Sequence, residues 1–168
     1  TQEGVTNLMQ TAKELNVYNP EFFSVTFGAG GSTKEKTLDT VLDLKKSGFN
    51  ATPHISCISS SKAEIKELLD KYKANKINHL VALRGDNPSG SVNFGELNYA
   101  NELVNFIKSE MGDAFKIDVG AYPEVHPESE TAKQDFVNFK NKVDAGADSA
   151  ITQFFYNVDA YFKFVDEC

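Results

Sequence analysis

The chain has few cysteines, no excess of positive charge and no long apolar run, and each lack excludes something. Two cysteines, Cys57 and Cys168, are too few for a disulfide framework and are wrongly spaced for a structural zinc site. Each reads as a free thiol in a reducing, cytoplasmic compartment. Lys and Arg number 17 against 24 Asp and Glu, with the two signs interspersed. A net charge of −7 leaves no basic face for a phosphate backbone, so a nucleic-acid partner is not expected. No apolar stretch approaches a membrane span. Low-complexity tracts and linkers are also missing. The chain does not open with Met, and its first residues read as a helix. A native N-terminus upstream of Thr1 is therefore expected.

What is present is a regular alternation. Apolar Val5, Leu8, Met9, Ala12 and Leu15 fall on one helical face. The run 22–27, FFSVTF, reads as a strand ending at Gly28, and a helix over 34–47 follows with Leu38, Val41 and Leu42 inward. A strand at 50–57 precedes a helix striped by Ala63, Ile65, Leu68, Leu69 and Tyr72. Strands at 78–83, 117–121 and 149–154 lead to helices over 96–110, 129–145 and from 158. Ser129 with Glu130 suits a helix start and Gly146 a stop. With 168 residues the length suggests one domain.

Strands alternating with helices imply right-handed crossovers and a parallel α/β sheet. Five strands fit an open doubly wound sheet or part of a (β/α)8 TIM barrel, which typically needs about 250 residues. Thr26, the His54 region, Arg84 with Asp86, Tyr122 and Gln153 all stand at or near strand C-terminal ends. In a barrel these converge on one site, and in a flat sheet they form a row with strands about 4.8 Å apart. The barrel is favoured.

Several motifs fail specific tests. The loop GAGGST, Gly28 to Thr33, lacks the third glycine of a dinucleotide fingerprint and the lysine of a P-loop, so it reads as a structural turn whose glycines let backbone approach a ligand. His54 reads as a satisfied core residue and Cys57 as a small hydrophobe. His79 begins a strand with no partner pattern. No group shows metal-ligand spacing, and there is no GxSxG nucleophile elbow. The stretch AYPEVHPE is more informative: Pro123 and Pro127 stiffen the loop and hold Tyr122, Glu124 and His126 in fixed directions. Beyond it, Asp135, Asn138 and Lys142 share one helical face, which on pattern alone is a solvated one. An uncharged Gln153 closing an apolar strand needs partners if buried.

Taken together, SVTFGAGGS, TPHISC, HLVALRGDNP, Tyr99-Ala100, AYPEVHPES, KVDAGAD and ITQFF resemble the methylenetetrahydrofolate reductase family, in order and across almost the whole chain. The resemblance implies an FAD-dependent (β/α)8 barrel that passes hydride from NAD(P)H to flavin and then to methylenetetrahydrofolate, giving methyltetrahydrofolate. Carried over by motif, Thr26, Phe27, Ala29, His54, Arg84, Gly85, Asp86, Tyr99, Ala100, Tyr122 and His126 would contact FAD. Asp135, Asn138, Asn141 and Lys142 would hold its ribose and pyrophosphate portion. Gln153 would meet pterin and nicotinamide in turn, with Thr26 and Asp86 also at the substrate. Asp86 would act catalytically by stabilising the folate's transient iminium cation. Family members commonly form homo-oligomers.

The chain departs from the family pattern in places. The family's general acid is a first-strand Glu in a Glu-Phe-Phe-Pro-Pro type motif. Neither Glu3 nor Glu21 stands in such a context, so the role is transferred to neither. Phe27 replaces a Tyr, and Asn141 stands where bacterial relatives can carry a basic residue. These residues are expected to supply about strands 2 to 6 of the barrel with their helices, lacking the first strand and the last two βα units. As a fragment they are expected to be inactive, being either the covered part of a longer protein or held by oligomer contacts. The alternatives are a non-catalytic flavin- or folate-binding fragment, and another barrel enzyme acting on a phosphorylated substrate.

Overall fold

The computed structural model describes residues 2–26, 34–86 and 95–168. A helix α1 (Gln2–Leu15) precedes five strands, β1 (Phe23–Val25), β2 (Ala51–Ser56), β3 (His79–Leu83), β4 (Lys116–Ala121) and β5 (Ser149–Thr152). Helices α2 (Lys34–Lys46), α3 (Lys62–Ala74), α4 (Ala100–Met111), α5 (Ala132–Asp144) and α6 (Val158–Glu167) follow the strands in turn.

Every neighbouring pair is parallel, and the strand order is β1-β2-β3-β4-β5, the order of the chain itself. That order decides between the two expected architectures. A doubly wound sheet reverses direction at a switch point, so its strand order departs from chain order. Here each crossover adds the next strand on the same side, which is the winding of an incomplete (β/α)8 barrel.

The two sheet faces differ as barrel winding requires. Ile55, Leu80, Ala82, Ile117 and Val119 pack against Val41, Ile65, Leu69, Leu103 and Ile107 of the helices in one buried cluster. Burying each large side chain of this set contributes about 1.5–3 kcal/mol. Alternate residues point the other way. Along that face the register sets His54 beside Val81, Val81 beside Asp118, and Asp118 beside Ser149.

This polar face corrects the reading of His79 as a residue without partners. Its Nδ1 lies 3.1 Å from Thr52 Oγ1 and its Nε2 lies 2.8 Å from Asp118 Oδ2. Asp118 also accepts a short hydrogen bond from Ser149 Oγ, and the ring edge of Phe22 meets His79. Asp118 is 3% exposed, and a carboxylate so buried needs these partners. The chain of contacts crosses four strands toward their N-terminal ends, so it braces the end of the sheet away from the expected site.

Helix starts differ from the sequence expectation in two places. Ser129 does not cap α5, because its hydroxyl donates to Asp135 Oδ1; Thr131 caps instead, its Oγ1 accepting from Gln134 N–H at 3.1 Å. Helix α4 begins at Ala100 rather than near residue 96, because Glu96 reaches across to accept the Lys62 N–H. Ala63 is exposed rather than part of the α3 stripe, which comprises Ile65, Leu68, Leu69 and Tyr72. Gly146 does follow the end of α5, at φ +107°. No described helix is long and apolar enough to cross a membrane.

Candidate active site at the strand ends

A cavity of about 650 Å³ opens at the C-terminal ends of β3 and β4, with Ala82 and Leu83 from β3 and Gly120 from β4 in its lining. Arg84 leaves β3 into it, and Tyr99 and Ala100 at the start of α4 form one side. Tyr122 and His126 come from the loop after β4. Asp135, Asn138, Asn141 and Lys142 of α5 complete the wall. The polar stripe read from spacing on α5 therefore faces a cavity and not open solvent.

The loop after β4 is held by α5. Asp135 Oδ2 accepts the His126 backbone N–H at 3.0 Å, and Oδ1 accepts the Ser129 hydroxyl at 3.0 Å. The His126 ring then stands edge-on to Tyr122, with centroids 4.4 Å apart. Its Nδ1 accepts the Glu128 N–H at 3.0 Å, which leaves the proton of the neutral ring on Nε2. Burial raises the Tyr122 phenol above its ordinary range, helped by the negative charges of Asp135 and Asp86. It stays a neutral hydroxyl at physiological pH.

Two cations reach the cavity. Lys142 Nζ donates a short hydrogen bond to the Gly120 carbonyl and lies 5.6 Å from the centre of the Phe139 ring. Burial lowers its pKa, partly offset by Asp135. Arg84 is gripped in parallel by Glu128, at 2.6 Å from Nη1 and 3.0 Å from Nη2. Hydrogen bonding to Glu128 raises the guanidinium pKa and lowers that of the carboxylate. Glu128 went unnoticed in the sequence, since a charged residue after Pro127 looks like any solvated one. Its partner lies 44 positions away. Asn101 and Gln134 join the lining without a sequence signal, and Gln134 donates to Asn138 Oδ1 at 3.1 Å.

The remaining expected residues are not part of the cavity's lining. Gly85 sits at φ +88° against Ser56, whose hydroxyl donates to the Arg84 carbonyl at 2.7 Å. Asp86 is exposed just beyond the end of β3, and its negative charge adds to the raised pKa values of Arg84 and Tyr122. His54 is half-buried on the polar face of β2, and burial lowers its pKa, which favours the neutral ring. Thr26 is exposed just beyond β1, its carbonyl accepting from Thr37 Oγ1. Gln153 is exposed beyond β5, its backbone N–H bonded to the Ala121 carbonyl and its Oε1 accepting from the Phe154 N–H. Phe27, Ala29 and the GAGGST loop lie outside the described residues. Cys57 is wholly buried, its thiol pushed up to about 11 by burial, as a small hydrophobe should be. Among the described residues no cluster of His, Cys, Asp and Glu could hold a metal.

The model of one protein family, methylenetetrahydrofolate reductase, matches residues 1–168. The chain belongs to the methylenetetrahydrofolate reductase family. Over 163 residues it is 45% identical to the 5,10-methylenetetrahydrofolate reductase of Buchnera aphidicola subsp. Acyrthosiphon pisum, which covers 96% of this chain and 54% of that protein. To the enzyme of that name from Escherichia coli K12 it is 43% identical over 169 residues, covering 100% of the chain and 56% of the relative. Identity to methylenetetrahydrofolate reductase (NADH) 1 of Arabidopsis thaliana is 38% over 182 residues, covering 100% of the chain and 31% of the relative. The chain thus spans about half the length of the bacterial family members, and that half contains the cavity.

Proposed function

We propose that the protein containing this chain reduces 5,10-methylenetetrahydrofolate to 5-methyltetrahydrofolate, with NAD(P)H as hydride donor and FAD as the carrier between them. One observation carries the reading. Residues from β3, the loop after β4, and helices α4 and α5 converge on a single cavity at the strand ends, within a chain of this reductase family.

The donor set fits the cofactor. Arg84 and Lys142 supply positive charge for a pyrophosphate, the amides of Asn138 and Asn141 suit sugar hydroxyls, and Tyr122 with His126 offers aromatic surface to a flat ring system. Asn141 contributes no charge, so Lys142 carries most of that task, with Arg84 already paired to Glu128. Bound there, FAD would take hydride from the nicotinamide and deliver it to the folate in a separate half-reaction. The chain's own part is binding and electrostatics. Asp135 holds the His126 loop, and Tyr122 remains an uncharged donor. Asp86, exposed just beyond β3, would favour the positive charge the folate acquires when its methylene bridge opens, while opposing electron gain by the flavin. Gln153 would meet the substrate with its amide.

The same reading makes the protein a cytoplasmic homo-oligomer; Cys57 and Cys168, both free thiols, suit a reducing compartment. The Arabidopsis relative is named as an NADH enzyme, which makes NADH the first donor to test. A visible spectrum of the full-length protein followed by anaerobic NADH or NADPH decides the matter. Flavin absorbance bleached by the nicotinamide and restored by methylenetetrahydrofolate is expected. A colourless protein that takes up no flavin would overturn the proposal, and flavin that is never bleached would leave a binding protein only.

A further inference from the structure

One carboxylate ties together two loops at neighbouring strand ends. Glu124 stands two residues past Tyr122, in the loop between β4 and α5. Its Oε1 accepts the backbone N–H of Tyr156 at 3.1 Å and of Asn157 at 2.6 Å. Both belong to the segment 153–157 between β5 and α6, more than thirty positions along the chain. That segment is otherwise held at its start by the Gln153 N–H on the Ala121 carbonyl at 2.7 Å. The Phe155 ring stacks on Tyr161, with centroids 5.0 Å apart. At its end Asn157 caps α6, accepting from Asp159 and Ala160.

Glu124 is exposed, so burial does not explain the contact. Its loop is stiff, with Pro123 before it, Pro127 after it and Val125 at φ +73°. The carboxylate is therefore offered in a fixed direction, and charge-assisted bonds to backbone are the stronger kind. Gln153, by contrast, has its side-chain oxygen bonded to the next residue's N–H. The path of its own backbone decides where its amide points. Beside it Phe154 and Tyr156, both largely exposed, meet edge to face at 5.0 Å.

We propose that Glu124 is a positioning residue: by clasping the β5–α6 loop it fixes the direction in which Gln153 faces the substrate. The inference rests on the reading above that Gln153 meets the folate. It separates two tasks within the AYPEVHPE stretch, with Tyr122 and His126 lining the cavity and Glu124 setting the neighbouring loop.

Glu124→Ala and Glu124→Gln in the full-length protein test it, since Gln keeps the Oε1 acceptor. In the Ala variant, amide exchange at Tyr156 and Asn157 should quicken roughly tenfold or more. KM for methylenetetrahydrofolate should rise by a similar order while bound flavin and kcat for its reduction by the nicotinamide hold. The Gln variant should recover most of both effects. Unchanged exchange in the Ala variant would show that the clasp is not made. Quickened exchange with an unchanged KM, or with parallel loss of flavin, would show that it does not position substrate. If the wild-type protein did not turn over the folate at all, the reductase reading and the positioning role would fall together, and the exchange rates would still judge the contact.

Discussion

At the scale of single residues, Gly85 and Asp86 follow one another and answer to different demands. A Cβ on Gly85 would stand 2.1 Å from Ser56 Oγ and 2.8 Å from an Ile58 methyl, at a φ that L residues rarely adopt. Gly85→Ala should cost roughly 1–3 kcal/mol, read as a lowered melting temperature. Asp86 meets no such packing limit and is exposed. Asp86→Asn should leave stability nearly unchanged, slow the folate half-reaction by roughly a hundredfold and spare or speed reduction by the nicotinamide. Stopped-flow traces of the two half-reactions check this; equal slowing of both would refute it. Lys142 adds a pH dependence. Its cation is the form that binds phosphate, and burial depresses its pKa in the ligand-free protein. Affinity for FAD should therefore fall as pH rises through that lowered pKa, at less alkaline pH than an ordinary lysine would dictate. Titration of flavin binding over about pH 7 to 10 measures it, and Lys142→Met should flatten the profile at a weaker overall affinity.

At the scale of elements, α5 is the piece on which the site depends most. Its N-terminal half carries Asp135 and Asn138, its last turns carry Asn141 and Lys142, and its start is fixed by Thr131. Thr131→Ala removes the acceptor for the Gln134 N–H and should cost about 1 kcal/mol, visible in denaturant unfolding. Flavin affinity should weaken with it, because fraying reaches Asp135 within one turn and Asp135 holds His126. A cap was expected at Ser129, and the actual one lies two residues on. Serine and threonine are both good caps, and which one serves depends on Asp135 having drawn the Ser129 hydroxyl away.

At the scale of the whole molecule, the sheet ends in two strands without a further neighbour among the described residues, β1 and β5. Beside β5 the surface carries Phe154, Tyr156, Val158 and Phe162, all more than half exposed. Such edges and patches recruit other chains unless covered. We expect the 168 residues expressed alone to self-associate at micromolar concentration and to show no reductase activity, with light scattering and a turnover assay as the checks. A stable monomer of these residues would refute the first expectation, and turnover by them the second.

Much was legible along the chain, because helix and strand periodicity are local properties. The alternation of five strands and their helices, Gly146 as a stop, the stiffened AYPEVHPE loop and the shared face of Asp135, Asn138 and Lys142 all follow from spacing and side-chain chemistry. What local pattern could not settle is everything that joins distant positions. The same strands suit a doubly wound sheet or a barrel, and the strand order decided between them. His79 looked partnerless because Thr52, Asp118 and Ser149 lie on three other strands. Glu128 looked like any solvated acid until Arg84 came within hydrogen-bond reach. Charge pairs and cavities are made by folding, from residues whose nearness no local pattern records.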